Sequence, residues 1–196
     1  MTLDGSLNNY GSMLSSGNNI YISGSSSFCN YGSFSIPSGT TLVSAPMTSS
    51  GSVVITGTLS VSSNSLFNAT SSISGTGSLT ISGTAYFYGF MNIPTVTISG
   101  TAYINSSFAP STVTISGTAY INSNFAPSSA TISGTLDVTG IVTIVSGITM
   151  TCSGCIIQGG GTLSLSSGTV FNITTTTYVT FSNVVINSFG TFNNYG

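Results

Sequence analysis

Apolar and polar positions alternate strictly through the middle of the chain. Between residues 95 and 105, Val96, Ile98, Ala102 and Ile104 fall on one side. Thr95, Thr97, Thr101, Tyr103 and Asn105 fall on the other. A period of two in β-branched residues predicts short strands. Gly100 supplies a bend between them, and Asn105-Ser106-Ser107 with Pro110 supplies corners. The pattern then returns with Val113, Ile115, Ala119 and Ile121 in the equivalent places. TVTISGTAYINSSFAPS (residues 95–111) runs directly into TVTISGTAYINSNFAPS (residues 112–128), and the only change is Ser107 to Asn124. No stretch carries a helical period, and strong helix formers are scarce.

The repeat has a fixed step. Ile-Ser-Gly-Thr begins at Ile81, Ile98, Ile115 and Ile132, 17 residues apart each time. Weaker relatives start at Ile22, Ile55 and Ile73, but Ile73 to Ile81 is only 8 residues, so the register slips there. After Ile132 the expected core positions are Ile148, Leu165 and Phe181. Two or three strands per unit cannot bury their apolar sides alone, whereas stacked copies can. The expected fold class is therefore all-β: one β-solenoid domain over residues 1–196, with parallel in-register coils of about 17 residues. Its most regular part is residues 81–136, and it degenerates toward both ends. About eleven coils at the usual strand spacing would give a rod of about 50–55 Å. Stacking predicts ladders of Tyr86 with Tyr103 and Tyr120, Asn105 with Asn122, and Phe108 with Phe125.

Composition adds exclusions. Among 196 residues there is no lysine, arginine or histidine, and only Asp4 and Asp137 are charged. Nothing is available to neutralise phosphates, which excludes nucleic-acid binding as a function class, and no polybasic surface exists for anionic lipid. Like charges one coil apart would repel, a reason for copied coils to avoid them. The missing charge also removes the repulsion that keeps soluble proteins apart, so assembly or glycan shielding is expected. Recurrent Ile, Val, Phe and Tyr argue against disorder. No run is long and apolar enough for a transmembrane segment, and residues 1–11 show no basic and apolar leader.

Candidate chemistry is sparse. Two aspartates so far apart cannot form a carboxylate pair, and no histidine or lysine exists to activate the many serines. The expectation is no enzyme, no metal and no cofactor. Asp137 is expected to face solvent on a strand. Cys152-Ser-Gly-Cys155 supplies two of the four ligands a structural zinc site needs, and only Cys29 remains. Small corner residues, as buried thiols or one local disulfide, are the simpler reading. Cys29 is expected about seven coils away, out of bridging range within the chain. Asn68, Asn105 and Asn172 head glycosylation acceptor triplets, which matter only in a secreted protein. The equivalent Asn122-Ser-Asn lacks one.

Gly-Thr-Leu-Ser-Val (residues 57–61), Gly-Ser-Leu-Thr-Ile (77–81), Gly-Thr-Leu-Ser-Leu (161–165) and Gly-Thr-Phe-Asn-Asn-Tyr-Gly (190–196) resemble coils of secreted adhesin and autotransporter-type β-solenoids. The resemblance implies an extracellular, surface-attached and structural or adhesive protein, at a cell or virion surface. The chain departs from it in lacking a visible signal and a charged cap. Three functions are weighed. The first is a filament subunit that partners itself head to tail, since uncapped end coils invite pairing. Leu7, Asn8, Asn9 and Tyr10 at one end, and Phe192, Asn193, Asn194 and Tyr195 at the other, are the candidate interface because SLNNYG (6–11) and TFNNYG (191–196) are near copies. Joined directly, Asn193 to the next Asn8 is 11 residues rather than 17, so another junction geometry is expected. The second function is ice or crystal-surface binding, similar to Thr-rich antifreeze solenoids. Thr95/Thr97 and Thr112/Thr114 form its rank, flanked by Ser78/Thr80 and Ser129/Thr131 and expected to fail at Ser52/Val54. The third is an adhesin segment with glycans as partners.

Overall fold

The computed structural model describes residues 6–15, 17, 19–144, 148–174 and 179–195. Asp4 and Gly196 lie outside the described residues. The fold is all-β, with no helix among the described residues and every ladder parallel. Among the described residues, twenty-nine strands of two to four residues wind into a single β-solenoid of about nine turns. Each turn visits three faces in the same order. Face 1 runs from Leu7–Asn9 to Thr180–Ser182 and is one ten-stranded sheet. Face 3 runs from Ile20–Ile22 to Thr191–Asn194 and is another. Face 2, from Ser12–Leu14 to Val185–Ser188, is split into sheets of five and four strands. The isolated Phe108–Phe125 bridge fills the missing rung between them.

Alternation sends two side chains per strand inward. On face 3 one column stacks Leu79, Val96, Val113 and Ala130, and its neighbour stacks Ile81, Ile98, Ile115 and Ile132. On face 1 Ala85, Ala102, Ala119 and Leu136 form a column beside Phe87, Ile104, Ile121 and Val138. All of these are buried. Face 2 closes the core with Phe34, Val53, Ile73, Met91, Phe108 and Phe125.

Coil length varies more than the 17-residue step suggests. Ala85, Ala102, Ala119 and Leu136 follow one another at that step, but Leu7 pairs with Phe28, Leu136 with Ile157, and Ile157 with Phe181. Coils outside the centre are thus longer, and about nine fit instead of eleven. By rung spacing the rod is about 43 Å long. The physical cause is face 2. In the short coils its strand is Phe90–Asn92, then contracts to the single Phe108 bridge and to Asn124–Phe125. Pro94, Pro110 and Pro127 follow these three segments and have no N–H with which to extend a ladder.

The three faces also correct the assignment of repeat motifs. Ile55 and Ile73 belong to face 2, whereas Ile81 belongs to face 3, so the 8-residue step is a change of face and not a slip. The Ile132 column continues through Cys152 and Ile173. Leu165 instead lies on face 2 and Phe181 on face 1, while Ile148 packs against the core from the edge of a strand.

The corner from face 3 to face 1 depends on close backbone approach. Gly83, Gly100, Gly117 and Gly134 stack there, and a Cβ on each of the last three would strike the carbonyl oxygen of the glycine one coil earlier. Only hydrogen is small enough, which gives the Ile-Ser-Gly-Thr motif its glycine.

Candidate assembly interface

Outward side chains stack as regularly as inward ones. The rings of Tyr86, Tyr103 and Tyr120 lie 4.6 Å apart and within 4° of parallel. Beside them Asn122 Nδ2 donates to Asn105 Oδ1 at 2.8 Å, and the Thr139 hydroxyl donates to Asn122 Oδ1. Phe108 and Phe125 are tilted by 34° at 5.9 Å, because they sit where face 2 is interrupted. A cavity of about 270 Å³ opens beside that interruption, next to Met91, Phe108 and the exposed Phe90.

The acceptor asparagines are all held in such ladders and are half-buried. Asn68 Nδ2 donates to Ser50 Oγ at 2.7 Å, Asn105 accepts from Asn122, and Asn172 accepts from Asn193 Nδ2 at 3.0 Å. Asp137 lies on outward face 1 next to Tyr120 and accepts from Gln158 Nε2 at 2.8 Å. Cys152 and Cys155 are fully buried and joined by a disulfide. They pin a face 3 to face 1 corner with one residue more than the Ile-Ser-Gly-Thr corners, since Thr135 pairs with Ile156 while Ile132 pairs with Cys152. Cys29 is a free thiol on face 1. Its negative charge when ionised, and a hydrogen bond with it, push the nearby Tyr31 hydroxyl above the ordinary tyrosine range, so Tyr31 stays neutral to higher pH. Among the described residues no three His, Cys, Asp or Glu side chains cluster.

The two ends of the solenoid differ from its sides. At the first coil Leu7 and Met13 point inward but are only partly covered, and Tyr10, Leu14 and Tyr21 are exposed. At the last coil Phe181 and Ile186 are partly covered, and Val185, Phe189, Phe192 and Tyr195 are exposed. Phe192 stacks on Phe171 at 4.7 Å and leaves its other face open at the edge of face 3. Among the described strands, those at each end of the three faces pair on one side only.

The near-copy motifs occupy different faces. Leu7, Asn8 and Asn9 are on face 1, whereas Phe192, Asn193 and Asn194 are on face 3. The match of Asn8 to Asn193 therefore does not define a junction. A closer relative of SLNNYGS is SFCNYGS (residues 27–33), directly above it on face 1. Asn9 and Asn30 carry a buried ladder there: Asn9 Nδ2 donates to Asn30 Oδ1 at 2.8 Å, and Asn30 Nδ2 to Ser49 Oγ at 3.1 Å. Sequence reasoning missed it, although the recurring Asn-Tyr-Gly-Ser was its visible signal.

The hydroxyl rank is longer than expected. Ser52 and Val54 are on face 2 and do not adjoin it. On face 3, Ser78/Thr80 is preceded by Thr58/Ser60, and Thr131 is followed by Thr151. Six successive rungs from Thr58 to Thr151 thus present outward Thr or Ser pairs.

No helix among the described residues is long and apolar enough to cross a membrane. Compared with known proteins, the chain matches no family model, no curated protein and no solved structure.

Proposed function

We propose that the chain is a structural subunit of an extracellular filament or surface fibre, built by head-to-tail stacking of β-solenoids. One observation carries the reading. Among the described residues, both end coils hold inward apolar side chains that are only partly covered, and their strands pair with another strand on one side alone. The edge bared at one end is the hydrogen-bonding complement of the edge bared at the other, because the same parallel pairing recurs at every rung between them. A contact between unlike ends does not close, and so propagates into a fibre. The resemblance to adhesin and autotransporter-type coils, and a buried disulfide suited to an oxidising compartment, support the same reading.

Negative-stain microscopy of the purified chain tests it. Fibres of one rod's width are expected, and monodisperse short rods at every concentration would refute the proposal and leave an adhesin segment, with glycan partners, as the better reading. The fibres should also ignore ordinary salt. With no cation to pair, raising sodium chloride to about 1 M removes no attraction that screening could reach. With no histidine, assembly should be flat between about pH 5.5 and 7.5, where no ordinary side chain titrates. Light scattering across both series checks this, and a fibre that dissolves in salt would point to a different interface.

The six-rung hydroxyl face favours a second reading, recognition of ice or another crystalline surface through face 3. Thermal hysteresis that vanishes in Thr97→Lys/Thr114→Lys, with the fold retained, is its expected signature. Zero hysteresis in the native chain removes it.

A further inference from the structure

The geometry points to a binding site for a neutral sugar on the side of the rod, in a cavity of about 440 Å³ on face 1. That volume falls in the range of small-molecule sites, about 300–1,000 Å³. The cavity lies where the coil changes shape. The face 3 strands ending at Val43 and Val61 reach face 1 through three residues each, 44–46 and 62–64, whereas Ile81 reaches Thr84 through Ser82-Gly83 alone. The outward column changes size at the same level. Thr48 pairs with Leu66, and Leu66 with Tyr86, the first ring of the tyrosine ladder. Tyr103 stacks on one face of Tyr86, and among the described residues no ring stacks on the other. Two residues farther along the strands, Ser50, Asn68 and Tyr88 repeat the step from small to aromatic, and Tyr88 is 49% exposed. Tyr86 and Tyr88 thus bound the cavity on one side, with Thr48 and Leu66 along its floor.

The lining selects the ligand. A pyranose ring has an apolar C–H face and hydroxyls around its edge. Its partly positive C–H hydrogens suit the negative face of a tyrosine ring, and Leu66 offers an apolar seat beside it. Thr48 and Asn64 supply uncharged donors and acceptors for the hydroxyls. Neither side chain has a hydrogen-bond partner among the described residues, whereas Asn68, Asn105 and Asn122 are held in ladders. Ser65 also borders the cavity, and its buried hydroxyl has no hydrogen-bond partner among the described residues. Charge narrows the choice further. The chain has no lysine, arginine or histidine to pair with an acidic sugar. Asp137, the only charged side chain among the described residues, stands in the same column three rungs beyond Tyr86, about 14 Å by rung spacing. The ligand is therefore a neutral glycan, and the site does not depend on how the rods assemble.

Saturation-transfer NMR on the full chain tests the site, with neutral trisaccharides of glucose, mannose, galactose and N-acetylglucosamine as probes. At least one should receive saturation, strongest on the hydrogens of one ring face, with a Kd below about 10 mM. Leu66→Tyr adds a ring beneath Tyr86 and fills the cavity, so the affinity should fall by about tenfold or more while the circular dichroism stays native. Tyr88→Ala removes one aromatic wall and should weaken the same probe by a similar factor. Phe189→Ala, which removes an exposed ring at the far end of the rod, should leave binding unchanged. No saturation with any of the four probes overturns the site. So does undiminished binding in either cavity variant with its fold retained, or an equal loss in Phe189→Ala.

Discussion

Gly100→Val combined with Gly117→Val should prevent the central coils from folding. A Cβ at either position lands against backbone carbonyls of the preceding coil, those of Ser82 and Gly83 for Gly100 and of Ser99 and Gly100 for Gly117. Backbone cannot swing aside as a flexible side chain does, so the corner must lift and break the ladders on both adjoining faces. Thr101 N donates to Gly83 O at 2.8 Å, and Thr118 N to Gly100 O at 2.8 Å, so the hydrogen bonds that flank the corner are lost with it. A loss of more than about 4 kcal/mol is expected for the pair, beyond the usual range of single substitutions. Urea unfolding followed by circular dichroism measures it. Gly160→Ala is the control, since a Cβ there meets open space and should change stability by less than about 0.5 kcal/mol. A double valine variant with a native midpoint would mean that the coils are farther apart than described.

The second large effect should come from Phe171→Ala. Phe171 is fully buried in the face 3 column between Met150 and Phe192, and also packs against Phe181 at 6.2 Å between ring centroids. Removing a buried phenyl ring costs about 3–5 kcal/mol. In a stacked array that cost is felt by the nearest rungs first, because each coil touches only its neighbours. The strands Thr180–Ser182, Val185–Ser188 and Thr191–Asn194 should lose hydrogen-exchange protection while the centre keeps it. The proposed fibre should fail with them, since those strands form one of its two surfaces. Undiminished protection over residues 180–194 would show that the last coil is held by something other than this ring cluster.

Much of this architecture was legible in the residues, and the reason is specific. In an in-register stack, identical neighbours are the geometry itself, so Tyr86, Tyr103 and Tyr120 announce their ladder by spacing alone. The same logic hid the number of faces. Ile55, Ile73 and Ile81 share a motif because corners before a strand have similar needs, whichever face the strand joins, and motif alone does not say which face that is. Coil length was obscured for a related reason: the conspicuous repeats are the short coils, in which proline cuts face 2 down, and they are not representative of the longer ones. The hydroxyl rank was underestimated because its neighbours lie 17 to 20 residues away by turns, a variation that only the ladder register resolves. The candidate assembly surface was least legible of all. A shared Asn-Asn-Tyr-Gly drew attention to residues on two different faces, because motif similarity does not carry the face a strand joins.

Residues 95–111 and 112–128 differ at one position, and each spans one full turn. Inserting another such unit would raise the rod by one rung, about 4.8 Å, without altering either end coil or any column except by lengthening it. Gene duplication at this spot therefore acts as a ruler: rod length can change in fixed increments while the end coils stay the same. The twin coils have the form such a lengthening would leave, placed in the middle of the molecule where the turn is shortest.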